Sequence, residues 1–301
     1  MGFITVLIPI FSIFAIGYIG MKFLNIDTKP ISTLTLYLMS PFLAFRTFYA
    51  NELNMDYIYL GAFLLVLCVI SLLFCYVVGY FRKWDQSVQS GFVLASVFMN
   101  NGNYGVPLTL LVFGEEGLHY AIILMVLQTL IMCTVGIYFA AKGGASGKRV
   151  KISPLKDVIK VPIVYGAILG IIFNLVGVPI SDQMMTGIDM VSEATIPTIM
   201  IVLGMQLAKI KLHDLEFGRV SLAVAFRLIL APIIAYFLTL PLPIDEMVKN
   251  ILILTAAMPT AANTTMYAVQ FGSRPAFVSS VTLITTLLSI VTLPILLFLL
   301  I

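Results

Sequence analysis

Apolar runs about as long as a bilayer is thick fill this chain from end to end, and its charges gather in the short stretches between them. A helix needs roughly 20 apolar residues to cross the hydrocarbon. Of the 301 residues, 60% are hydrophobic and only 10% charged, whereas soluble domains carry about 25% charged residues. So much apolar surface cannot hide in one soluble core, so lipid is the solvent for much of it. The expected fold class is an all-α polytopic membrane protein, with no room for a soluble catalytic domain. Cys68, Cys75 and Cys133 all lie inside apolar runs and read as small core or lipid-facing residues, not as a disulfide framework or a metal cluster.

Turn signals and charges divide the chain into ten segments, at about 3–24, 31–50, 57–80, 88–113 and 117–140, then about 158–178, 186–208, 217–240, 247–271 and 275–300. The first has no Lys or Arg ahead of it and no small-residue cleavage site after it, so it reads as a span and not as a signal peptide. The basic, Gly-containing stretch from Lys142 to Pro154 is the one clear internal boundary. It gives a first five-helix repeat at 1–141, a cytoplasmic linker at 142–157 and a second repeat at 158–301. Of the 17 Lys and Arg residues, 14 fall on one side of this arrangement, only Lys249 falls on the other, and Arg46 and Arg227 lie within spans. Lys and Arg accumulate in cytoplasmic loops, so both termini are expected outside a multi-pass cell (plasma or inner) membrane protein. The net charge of +3 is explained by that orientation and not by nucleic acid.

Leu111-Val-Phe-Gly114 closes the fourth segment and Val269-Gln-Phe-Gly272 the ninth, and each follows a helix interrupted near its middle. The interruptions are Asn100-Asn-Gly-Asn-Tyr-Gly-Val-Pro107 and Pro259-Thr-Ala-Ala-Asn263, with Pro41 and Pro197 similarly placed in the second and seventh segments. Five helices is an odd number, so the second copy enters the membrane from the opposite side. Matched interruptions in two inverted halves are the best sequence pointer to a transporter binding site, because freed backbone groups must face a cavity. The plainer reading, that these residues only kink or pack helices, applies to any one of them alone.

Unwinding at Gly102, Gly105 and Pro107 would expose half-helix ends whose N-terminal N–H groups favour an anion. Asn100, Asn101, Asn103 and Asn263 would add amides, though Asn101 and Asn103 are equally suited to capping the broken ends. A carboxylate suits such a site. Arg227, halfway through the eighth segment, is costly there unless it faces a cavity or carbonyls, so it is either part of the site or glue to a broken-helix carbonyl. Arg46, near the outer end of its segment, reads as snorkelling. Glu193, at the start of the seventh, is a solvated charge, a proton carrier or an Arg partner. His119 and His213 sit at loop ends as solvated residues, and Gly166-Ala-Ile-Leu-Gly170 has the spacing of close helix packing. With no phosphate-cradling loop, metal-ligand pair or nucleophile triad, the sequence implies no enzyme, no catalytic residue, no metal and no cofactor.

The run Asn100-x-Gly102-x-x-Gly105-x-Pro107-Leu108 with Phe113-Gly114-Glu-Glu-Gly117, and the run Ala257-Met-Pro259-Thr-Ala-x-Asn263 with Ala268, Phe271-Gly272 and Pro294, resemble the paired signatures of the auxin efflux carrier family. Bacterial members of that family are often labelled malate permeases. The resemblance extends over essentially the whole chain. It implies two inverted five-helix repeats with crossover helices four and nine, like sodium/proton antiporters and bile acid symporters. It also implies a homodimer that moves small organic anions by motion of a transport domain against a scaffold domain. Asn100, Pro107, Pro259 and Asn263 would line the crossover. Plant carriers often have a long hydrophilic central loop where this chain has a short basic linker, which favours a compact prokaryotic member over an auxin carrier. The expected function is secondary transport of a carboxylate by alternating access, with lipid and the anion as partners. The alternative is a sodium-coupled symporter of the bile acid type.

Overall fold

A computed structural model describes residues 3–24, 26–51, 55–144, 161–210 and 216–301, and these are almost entirely helical. The expected linker beyond Gly144, and His213, lie outside the described residues. The first helices are α1 (Phe3–Leu24), α2 (Thr28–Thr33), α3 (Ser40–Ala50), α4 (Asp56–Phe81), α5 (Gln86–Ser96), α6 (Val106–Ile131) and α7 (Ile137–Gly143). Then come α8 (Pro162–Val176), α9 (Asp182–Lys209), α10 (Phe217–Ala225), α11 (Ala231–Thr239), α12 (Glu246–Ala256), α13 (Ala262–Phe271) and α14 (Pro275–Leu300). Wider π-helical turns at Leu34–Met39, Asn101–Gly105, Met132–Gly136 and Phe226–Leu230 join α2 to α3, lead into α6, join α6 to α7 and join α10 to α11.

Three of these turns have one cause. They end two residues before Pro41, Pro107 and Pro232. Proline has no N–H to donate and its ring collides with the carbonyl four residues back, so the preceding turn widens instead of breaking.

Five helical runs are long and apolar enough to cross a bilayer: Asp56–Phe81, Asn101–Gly143, Asp182–Lys209, Phe217–Thr239 and Pro275–Leu300. Ile8–Leu24 and Pro162–Val176 are shorter apolar helices. The run of 43 residues from Asn101 would extend about 65 Å if straight, twice a hydrocarbon core of about 30 Å. It is interrupted at Gly114 (φ 69°, ψ −161°), where the sequence places the end of its fourth segment. The surface confirms lipid as solvent. Leu65, Val69, Leu73 and Val77 form an exposed stripe at helical spacing on α4, as do Leu287, Val291 and Ile295 with Leu288 and Phe298 on α14.

Packing groups the chain into two compact units, each drawing on both halves of the sequence. The first comprises described residues within Met1–Ile58, Gly102–Leu127 and Leu155–Lys209. In it α1 packs along α9, and α3 along α8 and α9. Glycines set both closest approaches. A Cβ on Gly17 would lie 2.1 Å from the Ile201 carbonyl oxygen, and one on Gly204 2.0 Å from that of Phe14. A Cβ on Gly166 would lie 2.1 Å from the Pro41 carbonyl oxygen, and one on Gly170 2.6 Å from that of Phe45. The Gly166 to Gly170 spacing is therefore a packing device. In lipid, where apolar contact brings no net transfer from water, such backbone proximity is a main source of helix association.

The second unit comprises described residues within Tyr59–Asn101, Gln128–Pro154 and Ile210–Ile301. Its core gathers Cys75, Phe92, Val93, Phe98, Ala223, Val278 and Val281 around α5, α10, α13 and α14. Cys68, Cys75 and Cys133 are all buried, and none forms a disulfide among the described residues.

Substituting Gly204→Val should lower the thermal midpoint of the detergent-purified protein sharply, because its Cβ would overlap a backbone carbonyl that cannot move aside without separating two helices. Overpacking costs on the order of 1–3 kcal/mol or more. Gly187→Val, in the same helix with nothing near its Cβ position, should be mild. A Gly204→Val protein as stable as the wild type would contradict this packing.

Candidate functional site: the crossing of two broken helices

Both helices break where the sequence concentrates Pro, Gly and Asn. Helix α5 stops at Ser96 and its chain runs extended through Phe98–Asn100, while α12 stops at Ala256 and resumes as α13 only at Ala262. Pro259 enforces the second break, since it supplies no N–H and disfavours helix in the residue before it. Helices α5 and α12, 11 residues each, extend about 16 Å, half a hydrocarbon core. The two breaks pair as a single antiparallel bridge, Met99 with Thr260. The Asn100 N–H donates to the Pro259 carbonyl at 2.8 Å and the Ala261 N–H to the Phe98 carbonyl at 3.0 Å.

The C-terminal carbonyls have no partners within their own helices and carry the negative end of each dipole. Here most of those along α5 find other partners. The Thr260 hydroxyl donates to the Ala95 carbonyl at 2.6 Å, and one Arg227 Nη donates to the Ser96 and Val97 carbonyls at 3.1 and 3.2 Å. The other Arg227 Nη donates to the Ala256 carbonyl at the end of α12. Arg227 is fully buried, so one guanidinium neutralises two helix ends at once. Its position follows from the π-turn ahead of Pro232. Of the two roles open to Arg227 from sequence, this geometry is the bond to broken-helix carbonyls.

At the opposite polarity the site is open. Ala261, at the N-cap of α13, has no side-chain oxygen to cap the helix. Asn263 follows two residues later, its side-chain oxygen buried without a partner among the described residues. Asn100 and Asn101 are almost wholly buried. The Asn100 amide nitrogen and both polar atoms of the Asn101 side chain have no hydrogen-bond partner there either. Asn101 therefore does not act as a cap. Buried amide groups without partners are expensive, and the free N–H donors of Asn100 and Asn101 beside a helix N-terminus with no side-chain cap suit an anion.

Asn100, Asn101, Pro259, Asn263 and Arg227 all belong to the second unit, whereas Gly102, Asn103, Gly105 and Pro107 fall in the first. There Asn103, Gly105 and Pro107 are buried, and a Cβ on Gly102 would press on Met125 at 3.2 Å. Glu193 is also in the first unit, 69% exposed and 3.9 Å from Arg46, whose Nε meets Asp189 at 2.7 Å. Arg46 is thus ion-paired across α3 and α9, not simply snorkelling. His119 is corrected as well. It is not a solvated loop residue but partly buried, 2.8 Å from the Tyr57 hydroxyl.

Two participants went unread in the sequence: Thr260, and Thr285, whose hydroxyl accepts from the Thr260 N–H at 3.1 Å. Their signal is the buried hydroxyl stripe Thr282, Thr285, Thr286 and Ser289 on α14.

Arg227→Ala should destabilise the folded protein by on the order of 3 kcal/mol, as three carbonyls lose a charged donor. Arg227→Lys should recover part of this, since an ammonium reaches one helix end but not both. Thermal unfolding in detergent reads both, and an Ala variant of wild-type stability would refute the role.

Comparison with known proteins agrees with a membrane role. A family described as membrane transport protein matches residues 3–297. The chain is 28% identical to an uncharacterized transporter of Methanothermobacter thermautotrophicus over 305 residues, covering 98% of this chain and 97% of that one. It is 27% identical to an uncharacterized transporter of Methanocaldococcus jannaschii over 272 residues, covering 87% of this chain and 86% of the relative. A protein of Rhizobium meliloti named "Putative malonate transporter" is 24% identical over 306 residues, covering 97% of this chain and 94% of its own. With a match along nearly its whole length and apolar helices that fit a bilayer, the chain belongs to this family of membrane transport proteins, the auxin efflux carrier family, and is a membrane transporter.

Proposed function

We propose that this transporter is a secondary carrier for small organic carboxylates, binding its anion at the crossing and exposing it alternately to the two sides of the membrane. The observation that carries the reading is the asymmetry of the crossing. Arg227 binds carbonyls at its helix C-termini, while α13 has no side-chain cap at its N-terminus and the amide nitrogens of Asn100 and Asn101 have no partners among the described residues. The Rhizobium relative's name, which concerns malonate, supports a carboxylate. Gly102, Asn103, Gly105 and Pro107 are assigned to the same function through their place in the first interruption.

In this reading the membrane arrangement is ten spans in two inverted repeats, at 1–141 and 158–301. Both termini lie outside the cell membrane, and the carrier is a homodimer. Helix pairing supports the repeat. Exchanging the halves turns the α1 and α9 contact, first span on seventh, into sixth on second, which is the α8 and α3 contact. Both contacts are glycine-to-carbonyl approaches. The 14 basic residues on one side support the orientation.

A second reading, coupling to sodium, is favoured by the side-chain oxygen of Asn263, which is buried without a partner among the described residues. Oxygens of this kind coordinate sodium in transporters built on broken helices.

Purified protein in liposomes, challenged with malonate, malate and indole acetate with and without sodium and pH gradients, tests both. A carboxylate current that needs neither gradient is expected, falling at least tenfold in Asn100→Ala and Asn263→Ala, with thermal stability kept because each variant removes a side chain with a buried polar atom that lacks a partner among the described residues. Wild-type currents in both variants would remove the crossing from the site. A current that appears only with sodium would establish the second reading.

A further inference from the structure

Away from the crossing, the second unit has an open cavity of about 530 Å³ lined by Arg82, Lys83, Trp84, Asp85, Glu216 and Arg219, among others. It forms where α4 ends and α10 begins. The backbone stops α4 by donating from Lys83 N–H to the Tyr80 carbonyl at 3.2 Å and from Trp84 N–H to the Gly79 carbonyl at 2.9 Å, the pattern of a Schellman cap. Lys83 holds the left-handed position of this cap, at φ 52°, where glycine is the residue of lowest cost.

The cavity's carboxylates are already engaged. Asp85 caps α5, accepting from the Val88 N–H at 2.9 Å. Glu216 is clamped between Arg219 and Arg274. The Arg219 guanidinium also lies over the Trp84 ring, 5.9 Å from its centre. Arg82 and Lys83 are exposed and have no carboxylate partner among the described residues. The cavity's lining therefore has an excess of positive charge, with both guanidinium and ammonium donors, which suits a phosphate group.

Its rim identifies the source of that phosphate. Tyr80 and Phe81, which immediately precede Arg82, are 81% and 77% exposed, and Phe217 on the opposite wall is 72% exposed. Large exposed aromatics at the ends of apolar helices belong at the level of lipid headgroups, and a dissolved anion would have no contact to make with them. We infer that this cavity holds the headgroup of an anionic phospholipid, with phosphate on Arg82, Lys83 and Arg219 and acyl chains against Tyr80, Phe81 and Phe217. The inference depends on the chain residing in a membrane and not on which solute it carries.

The test uses the full chain purified in nonionic detergent, titrated with short-chain phosphatidylglycerol, phosphatidylcholine or inorganic phosphate while the thermal midpoint is followed. Phosphatidylglycerol should raise the midpoint, and the other two should not. One basic residue contributes roughly fivefold at an anionic surface, so Arg82→Gln should shift the phosphatidylglycerol titration about fivefold and Arg82→Gln with Lys83→Gln about thirtyfold. Lys29→Gln, on an exposed residue of the other unit, should leave it unchanged. An equal response to phosphatidylcholine, or an unaltered titration in the double variant, would overturn the site. A matching shift with inorganic phosphate would overturn the assignment to lipid.

Discussion

Every polar backbone group in the hydrocarbon must find a partner inside the protein, and a group left without one costs several kcal/mol. Two helices interrupted at mid-length defy that requirement twice. The crossing resolves it by turning the defects on each other: two segments share a bridge, Thr260 returns a hydroxyl to α5, and Arg227 collects the carbonyls of Ser96, Val97 and Ala256. An arginine this deep would itself be costly on a regular helix. Among three carbonyls at the negative ends of two helix dipoles it is placed where its charge is needed. Neither the breaks nor the arginine is tolerable alone, and each accounts for the other.

The two compact units meet the same solvent by different means. In the first, association is through glycine, with helix backbones pressed to contact at Gly17, Gly204, Gly166 and Gly170. Its charges are confined to its margins, as in the Arg46 and Asp189 pair. In the second, hydroxyls and one guanidinium add hydrogen bonds to an apolar core that also has close glycine contacts, such as Gly144 on the Phe271 carbonyl. A glycine contact has one geometry and fails by steric overlap. A hydrogen-bonded crossing can exchange partners, and this is the property a binding site needs.

The helix limits were legible because each end is marked by proline, glycine or charge. The segments expected at about 3–24, 57–80 and 275–300 correspond to helices at Phe3–Leu24, Asp56–Phe81 and Pro275–Leu300. Both interruptions were legible too, since Pro, Gly and Asn are conspicuous among aliphatic residues. Partners were not. A single sequence fixes the depth of Arg227 but not the direction in which it points, so carbonyl clamp and substrate ligand were equal readings until the crossing was seen. Arg46 and His119 were misread for a related reason. Proximity to a helix end suggested solvent, while Asp189 and Tyr57 come from sequence-distant segments. Thr260 was overlooked because threonine is common in membrane helices and its hydroxyl usually bonds back within its own helix, as Thr282 and Thr286 do here.

The commitment of Arg227 bears on how a carboxylate would be carried. Its Nη groups are bonded to three backbone carbonyls, so on the proposed reading the fixed positive charge serves the protein and the substrate meets amides and helix N–H groups. Dipoles hold an anion without cancelling its charge. The loaded crossing would then differ from the empty one by the full charge of the solute, and its reorientation would feel the membrane potential at about 2.3 kcal/mol per charge per 100 mV. On the proposed reading, Arg227 stays with its own broken helices, and each anion carried across takes its full charge through the potential, which would drive a monovalent carboxylate outward.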